Sequence, residues 1–522
     1  MKVLLVNPEY PFEESPTPPF GLMSLAAYLL EKGVEVRIED YIVTPCNREQ
    51  IQGVIDEYKP EVVGATGVTM NINTSLKVLK IYKELDPNIV TLIGGPHVTF
   101  DADNILNNHS FLDYIVRGEG ELTTIELLDS LGSSSSLKNK VKGISYCDNE
   151  SIIHNEPRSF IDDINILPFP ARHLAPLSKY RALGFPINMT TSRGCPYECI
   201  FCVGRKMMGK KMRMFDVDRV VDEFEILASM GFKQINLVDD LFTSKKSRCM
   251  DICNGIIKRG ISHKWTAFSR VNTITEELLE KMKEAGCTML CFGIESGDQN
   301  ILNTIKKKTT IDQIQNAIDL CEKVGIGPMS SYILGLPGES RETAKKSHDF
   351  ARNLNLNHGF HILSPFPGTE VRDKHDEYEM TIMTDDWDKY DANQAIAATK
   401  YLTCEEINQL GQEMNSFAEE RVSEIFDKSK NKKPMTEIEI QFINGVITFS
   451  FAHDLIKMRL VESYPGCKNG NDMNTIIDDF IHYIEKHTKF TKEDIRDRLI
   501  NLFSNNCLKI DGIKGETEIR WV

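Results

Sequence analysis

Short apolar runs alternate with amphipathic stretches along the first part of the chain. VLLV (3–6), VEVRI (34–38), VVGAT (62–66), IVTLIGG (89–95) and DYIV (113–116) have the length and β-branched content of buried strands, and the segments between them place apolar residues at helical spacing. Strand and helix in regular alternation predict an α/β fold with a doubly wound, Rossmann-like parallel sheet. Such sheets bind ligands outside the carboxyl ends of their strands. NPEYPF, TGVTMN, GGPHVTF and RGEGE are therefore expected along one edge. Gly94 and Gly95 there either admit a ligand close to the backbone or simply make a turn. SSSS (133–136) interrupts the alternation, KGISYCDNESIIHNEP reads as a hairpin turning at Asp148–Asn149, and LPFPARHLAP reads as a connector. These signals set a first domain at 1–165.

The alternation restarts near residue 186. INMTT, QINLV, KWTAFS, CTMLCFGIE, GPMSSYILG and HGFHILS read as strands, with helices expected from about 216, 244, 275, 310 and 340 between them. Six such units predict a partial (β/α)6 barrel, TIM-like but open, over 166–395, with its chemistry at the strand carboxyl ends. That rim collects three cysteines after the first strand, DDLF after the second, ESGD after the fourth, LPGES after the fifth and SPFPGTE after the sixth. Residues 396–522 read as a mainly helical domain, with packing or substrate capping as its expected role. Its last stretch, from Phe490, predicts two helices and a terminal hairpin, somewhat like a winged helix. Ten acidic against eight basic residues between 470 and 522 leave a DNA-binding wing without support.

Composition narrows the class. At 522 residues, 41% hydrophobic and 26% charged, the chain reads as a multidomain globular protein. No apolar run reaches the roughly 18 residues of a membrane span, and MKVLLVNPEYP reads as a strand ending in prolines rather than a secretory leader. A cytoplasmic protein is expected. A net charge of −15 argues against broad nucleic-acid binding. One local basic run, KMMGKKMR (206–213), follows the third rim cysteine; it reads either as a solvated loop or as a contact for an anionic ligand. Thirteen cysteines in such a chain belong to metal binding or core packing rather than to disulfides. Cys249 with Cys253, and Cys287 with Cys291, lack C-x2-C partners and read as packing.

TSRGCPYECIFCVGRK (191–206) sets Cys195, Cys199 and Cys202 in a C-x3-C-x2-C array with no fourth ligand nearby. Structural zinc sites close a tetrahedron of four ligands. Three thiolates on a four-iron cluster instead leave one iron open to a ligand; a three-cysteine zinc loop is the alternative. With Phe201 just before the third cysteine, the loop resembles the C-x3-C-x-aromatic-C loop of the radical S-adenosylmethionine (radical SAM) enzymes. That resemblance implies a [4Fe-4S] cluster on Cys195, Cys199 and Cys202. It also implies S-adenosylmethionine chelated at the open iron and split by one electron into methionine and a 5'-deoxyadenosyl radical. By position it places Asp240, Arg270, Glu295, Ser296 and Gly335 around S-adenosylmethionine, together with Phe201. Read without the family, acidic residues at strand ends equally cap the following helix.

NPEYP, PPFGLMSLAAYL, GGPHVTF, DYIVRGEGE and SPFPGTEV (364–371) resemble the cobalamin-binding class of these enzymes over about residues 1–395. The resemblance implies cobalamin between the sheet edge and the barrel mouth, with Gly94, Gly95 and His97 in a segment near it. No D-x-H-x-x-G motif is present, so His97 reads as a turn or contact residue rather than a cobalt ligand. The implied activity is methylation of an unactivated carbon, with methylcobalamin as donor and a second S-adenosylmethionine to remethylate the cobalt. Ring formation or carbon–carbon coupling is one alternative, and a non-catalytic cofactor-binding sensor another. Implied partners are a small-molecule, lipid or peptide substrate and a one-electron donor such as flavodoxin or ferredoxin.

Overall fold

A computed structural model describes residues 1–10, 16–132, 135–149, 151–354, 356–467, 473–513 and 516–522. Five strands, β1 (Lys2–Asn7), β2 (Glu35–Asp40), β3 (Val62–Thr66), β4 (Val90–Gly94) and β5 (Tyr114–Val116), pair in parallel in the order β2-β1-β3-β4-β5. Alternate residues enter opposite cores. Leu4, Val6, Val63 and Ile93 join one cluster; Val3, Leu5, Val62 and Leu92 join the other. Burial on both faces is why these strands read as unbroken apolar runs. The expected hairpin, β6 (Ile144–Asp148) with β7 (Ser151–His154), extends this sheet antiparallel beyond β5. Asp148 is still paired, with Ser151, so the turn begins one residue later than expected; Glu150, like Ser133 and Ser134 of the serine run, lies outside the described residues.

The second sheet opens with β8 (Ile187–Met189). A two-residue strand β9 (Ser192–Arg193) pairs antiparallel with β10 (Arg213–Met214) around the cysteine loop. Then follow β11 (Ile235–Leu237), β12 (Trp265–Ser269), β13 (Cys287–Glu295), β14 (Gly327–Leu334) and β15 (Asn357–Ile362). Strand order β15-β14-β13-β12-β11-β8, all parallel, is the open six-stranded barrel that the alternation predicts. Its outer helices form for local reasons as well. Helix Val217–Ser229 buries Val220, Val221, Phe224 and Leu227 on one face. Helix Ile311–Val324 starts at a capping box in which Thr310 and Gln313 satisfy each other's backbone N–H groups.

Small pairings complete the chain: β16 (Thr381–Ile382) with β17 (Ala397–Ala398), and a terminal hairpin of β18 (Leu508–Ile513) and β19 (Glu516–Trp521). Between Phe490 and that hairpin stands one helix, Lys492–Ser504, not the two expected. Helix Cys404–Lys430 meets the rim through its first turns, where Ile407 lies against Gly335 and Gly411 against Leu334 and Ile362, and then runs along the open edge, with Asn415 bonded to Phe360. Helix Glu437–Lys457 sets Phe449 5.8 Å from Phe185, just before β8. Arg181 donates to the carbonyl of Asn506. These last two contacts fall at the amino-terminal end of the barrel. Among the described residues no helix is long and apolar enough to cross a membrane.

Candidate functional site

The cysteine loop leaves the barrel at the carboxyl end of β8, and two of its thiols meet N–H donors, with Asp240 close by. Cys202 Sγ accepts the backbone N–H of Gly204 at 3.3 Å, and Arg270 Nη1 points at Cys199 Sγ from 3.7 Å. N–H groups directed at sulfur stabilise thiolates, which suits cluster ligation. The cysteines are all free, and among the described residues no three His, Cys, Asp or Glu side chains converge on a single-ion site. A four-iron cluster binds each thiolate through a different iron and needs no such convergence. Cys195, Cys199 and Cys202 would hold it.

The carboxylates of β11's loop divide the work. Asp239 is buried and accepts from Thr191 N (2.5 Å), Thr191 Oγ1 (2.6 Å) and Ser192 Oγ (2.6 Å), so it fixes the chain just before the cysteines. Arg248 braces the same turn through Thr191 and Phe215. Asp240 instead accepts from Gly194 N at 3.1 Å and lines a cavity. Burial pushes both carboxyls above the usual carboxylate range.

Arg270 lies 3.6 Å over the Tyr197 ring and donates to the carbonyl of Lys307. Lys307 in turn bonds Glu295 Oε1 at 2.6 Å, with side-chain exposures of 7% and 8%. Glu295 reaches it from an irregularity at the end of β13, where it takes the left-handed φ of 70°. Lys307 Nζ also stands 5.9 Å above the ring of Phe201, linking the ion pair to the cysteine loop. Ser296, expected beside these groups, is turned the other way: its hydroxyl meets Ser347 and the N–H of Asp298 in the helix layer. Gly335 gives its N–H to Glu339 at 2.6 Å. Glu339 is fully buried, its Oε1 is unpartnered, and burial pushes its carboxyl up to about 8.

Inside the barrel, alternation sends Leu290, Phe292 and Ile294 of β13 to the helices and leaves Met289, Cys291 and Gly293 on the inner wall. Phe268 of β12, 50% exposed, Met329 and Ser331 continue that wall. Cys249, Cys253 and Cys287 are core residues as expected; Cys291 is half-buried.

A cavity of about 360 Å³ separates the two strand-end edges. One wall is the first sheet: Leu5, Gly64, Leu92, Gly94 and Gly95. The other is the barrel: Thr190, Arg193, Met207, Val238 and Asp240. Small and apolar residues dominate the sheet side, which suits a flat apolar part of a large cofactor. Gly95 has φ 110°, and a Cβ there would stand 2.6 Å from Gly67 O, so no other residue keeps this wall so close. His97 is not on the wall. Its ring is buried, with Nδ1 3.1 Å from Thr69 Oγ1, Nε2 3.4 Å from Asp101, and an edge contact to Trp387 at 4.7 Å. Gly94 and Gly95 would border cobalamin; His97 holds the turn beneath them.

Sequence reasoning passed over Lys307, Glu339 and four charged residues between the domains. Glu119 and Glu121 on the sheet side bond Arg193 and Arg213 on the barrel side. The signals were position and residue type: RGEGE on the expected sheet edge, Arg213 at the end of the basic run, and an arginine two places before the first cysteine.

An open barrel with three thiols at its first strand end, facing a sheet across a shared cavity, is the architecture of radical SAM enzymes with an added cofactor domain. The profile of the Radical SAM superfamily matches residues 189–351, and that of the B12 binding domain matches residues 14–128. A methyltransferase of Pyrococcus horikoshii, PH0819, itself uncharacterized, is 36% identical over 78% of this chain and 90% of its own. The anaerobic magnesium-protoporphyrin IX monomethyl ester cyclase of Rubrivivax gelatinosus is 30% identical over 71% of this chain and 69% of its own. The structure of OxsB, a cobalamin-dependent S-adenosylmethionine radical enzyme with aqua-cobalamin and S-adenosylmethionine bound, superposes with TM-score 0.69 at 18% identity, covering 97% of this chain and 84% of that one. The chain belongs to the cobalamin-binding radical SAM enzymes, whose cofactors are a [4Fe-4S] cluster, S-adenosylmethionine and cobalamin.

Proposed function

We propose that this protein methylates an unactivated carbon of a small-molecule, lipid or peptide substrate, using a 5'-deoxyadenosyl radical and cobalamin. The observation that carries this reading is the shared cavity, where the glycine edge of the first sheet faces Arg193 and Asp240 beside the cysteine loop. When bound, the cluster supplies the electron that splits S-adenosylmethionine, and cobalamin supplies the methyl group. The protein's own part is positional. Cys195, Cys199 and Cys202 hold the cluster. Phe201, Asp240, Arg270, Glu295 and Gly335 border the S-adenosylmethionine side, and Gly94 and Gly95 border the corrinoid. Ser296 acts through the packing behind Glu295. The likeness to PH0819, named a methyltransferase, supports the outcome. Domain limits near 165 and 395, work in the cytoplasm with a flavodoxin or ferredoxin as electron donor, and an inner wall through Phe268 that receives the substrate complete the proposal.

The likeness to the magnesium-protoporphyrin ester cyclase favours a second reading, oxidative ring closure at the same site. Anaerobically reconstituted protein, supplied with cobalamin, reductant, methyl-deuterated S-adenosylmethionine and a host metabolite extract, separates the two. Methylation yields 5'-deoxyadenosine together with a product carrying the deuterated methyl group. Deoxyadenosine with an unlabelled, dehydrogenated product selects the cyclase. Cys199→Ala should abolish both, and an intact cluster with no deoxyadenosine would reject catalysis altogether.

A further inference from the structure

Two arginines oppose each other across the smallest ladder of the barrel. β9 and β10 set Arg193 against Arg213 and Ser192 against Met214, and this ladder closes the segment that contains all three cluster cysteines. Like charges directly opposed across strands repel. Here both are largely removed from water, with side-chain exposures of 14% and 3%. What neutralises them comes from the first domain. Glu119, in the loop after β5, accepts at Oε1 from Arg193 Nη1 (2.8 Å) and Arg213 Nη1 (2.9 Å), and its Oε2 accepts from Arg213 Nη1 and Ile161 N, both at 2.8 Å. Glu121 takes Arg193 Nη2 at 2.6 Å. The fork of Arg193 thus places each terminal nitrogen on a separate carboxylate of the neighbouring domain.

The path from Arg193 to the first cysteine has no slack. Gly194 has φ 100°, and a Cβ there would stand 2.6 Å from Lys211 O. Asp240 receives its N–H, and Cys195 N donates to Gly209 O at 3.1 Å. Arg213 Nη2 ties down Met208 O at 2.7 Å on the far side of the loop. Glu119, Glu121 and Arg193 also line the cavity.

We propose that Arg193 is a positioning residue that couples the two cofactor sites. Held by Glu119 and Glu121, it registers the cluster loop against the sheet edge, so a cluster in the loop and cobalamin in the cavity favour one another. A ligand that orders this clamp from one side leaves less to be ordered from the other, and the effect is reciprocal. The inference rests on the cofactor reading given above.

The test uses the full-length protein and hydroxocobalamin, titrated by absorbance into cluster-free and into anaerobically reconstituted protein. The cluster should tighten cobalamin binding by about tenfold, the size of an ordinary coupling. Arg193→Met should bring the ratio of the two dissociation constants to one. Arg193→Lys, which reaches one carboxylate only, should leave it between. Where Arg193→Met melts below the assay temperature, Glu121→Gln, which keeps the Glu119 bridge, should halve the ratio or more. Equal affinities in the wild type would overturn the coupling, as would an Arg193→Met protein whose two affinities fall together at an unchanged ratio, the mark of a merely structural residue. Wild-type protein that takes up a cluster but no cobalamin would remove the corrinoid reading itself, a failure distinct from loss of coupling.

Discussion

The two strand-end edges that meet at the cavity are built from opposite materials. The first sheet offers glycines and aliphatic carbons: Gly64, Gly94, Gly95, Leu5 and Leu92. The barrel rim offers charges already paired with one another: Lys307 with Glu295, Arg270 with a carbonyl and a thiol, Asp240 with a backbone N–H. A broad cofactor with a flat apolar ring face needs clearance, which costs the protein side chains. A small zwitterion bearing a sulfonium needs fixed charges and donors, which must be buried and paired to stay fixed. Substitutions on the two edges should therefore fail in different ways.

The largest effect is expected at the rim. Lys307→Met leaves Glu295 buried without its partner, a loss of about 3–5 kcal/mol, read as a fall in the denaturant midpoint. Adding Glu295→Gln removes the stranded charge and should recover most of it. A single variant as stable as the wild type would show that the rim charges are not held as argued.

At the sheet edge the penalty is steric. Gly95→Ala forces a Cβ against Gly67 O in a backbone conformation of positive φ, with an expected cost of about 1–3 kcal/mol. Thermal melting measures it, and cobalamin affinity should fall while the iron content of the reconstituted protein stays the same. Equal loss of both cofactors would erase the distinction between the edges.

The third effect is a pH dependence. Glu339 has its native carboxyl raised from 4.5 to about 8 by burial, so the neutral acid is the form the fold prefers. Its contribution to stability is full below pH 4.5 and is lost as pH climbs through about 8. Melting temperatures of the wild type should decline between pH 6 and pH 9 more steeply than those of Glu339→Gln. Parallel curves would place the titration elsewhere.

Much of the fold was legible because strands buried on both faces announce themselves as apolar runs. The hairpin after β5 was seen, but its membership of the sheet was not, since an edge pairing depends on what lies beside it. One helix, Lys492–Ser504, stands where two were read before the terminal hairpin. Spacing, the aromatic Phe201 and a place after the first barrel strand singled out the cysteine loop, and it does leave the carboxyl end of β8. Ser296 was not legible: one residue along from Glu295, alternation turns it to the other side of the strand. His97 read as a turn or contact residue, but its partner Trp387 lay beyond reach because it is far along the chain. The clamp of Glu119, Glu121, Arg193 and Arg213 joins two domains, and a local pattern says nothing about partners across such a boundary.

Trp387, Tyr390 and Ile396 come after the last barrel strand, yet they are buried in the core of the first sheet. Cutting the gene after residue 165 would therefore yield a corrinoid module with a hole in its flank and His97 bared to water. A working fragment would have to carry that distant aromatic segment with it, grafted or supplied as a peptide. The chain is better regarded as a strand threaded back through its own beginning than as parts joined in series.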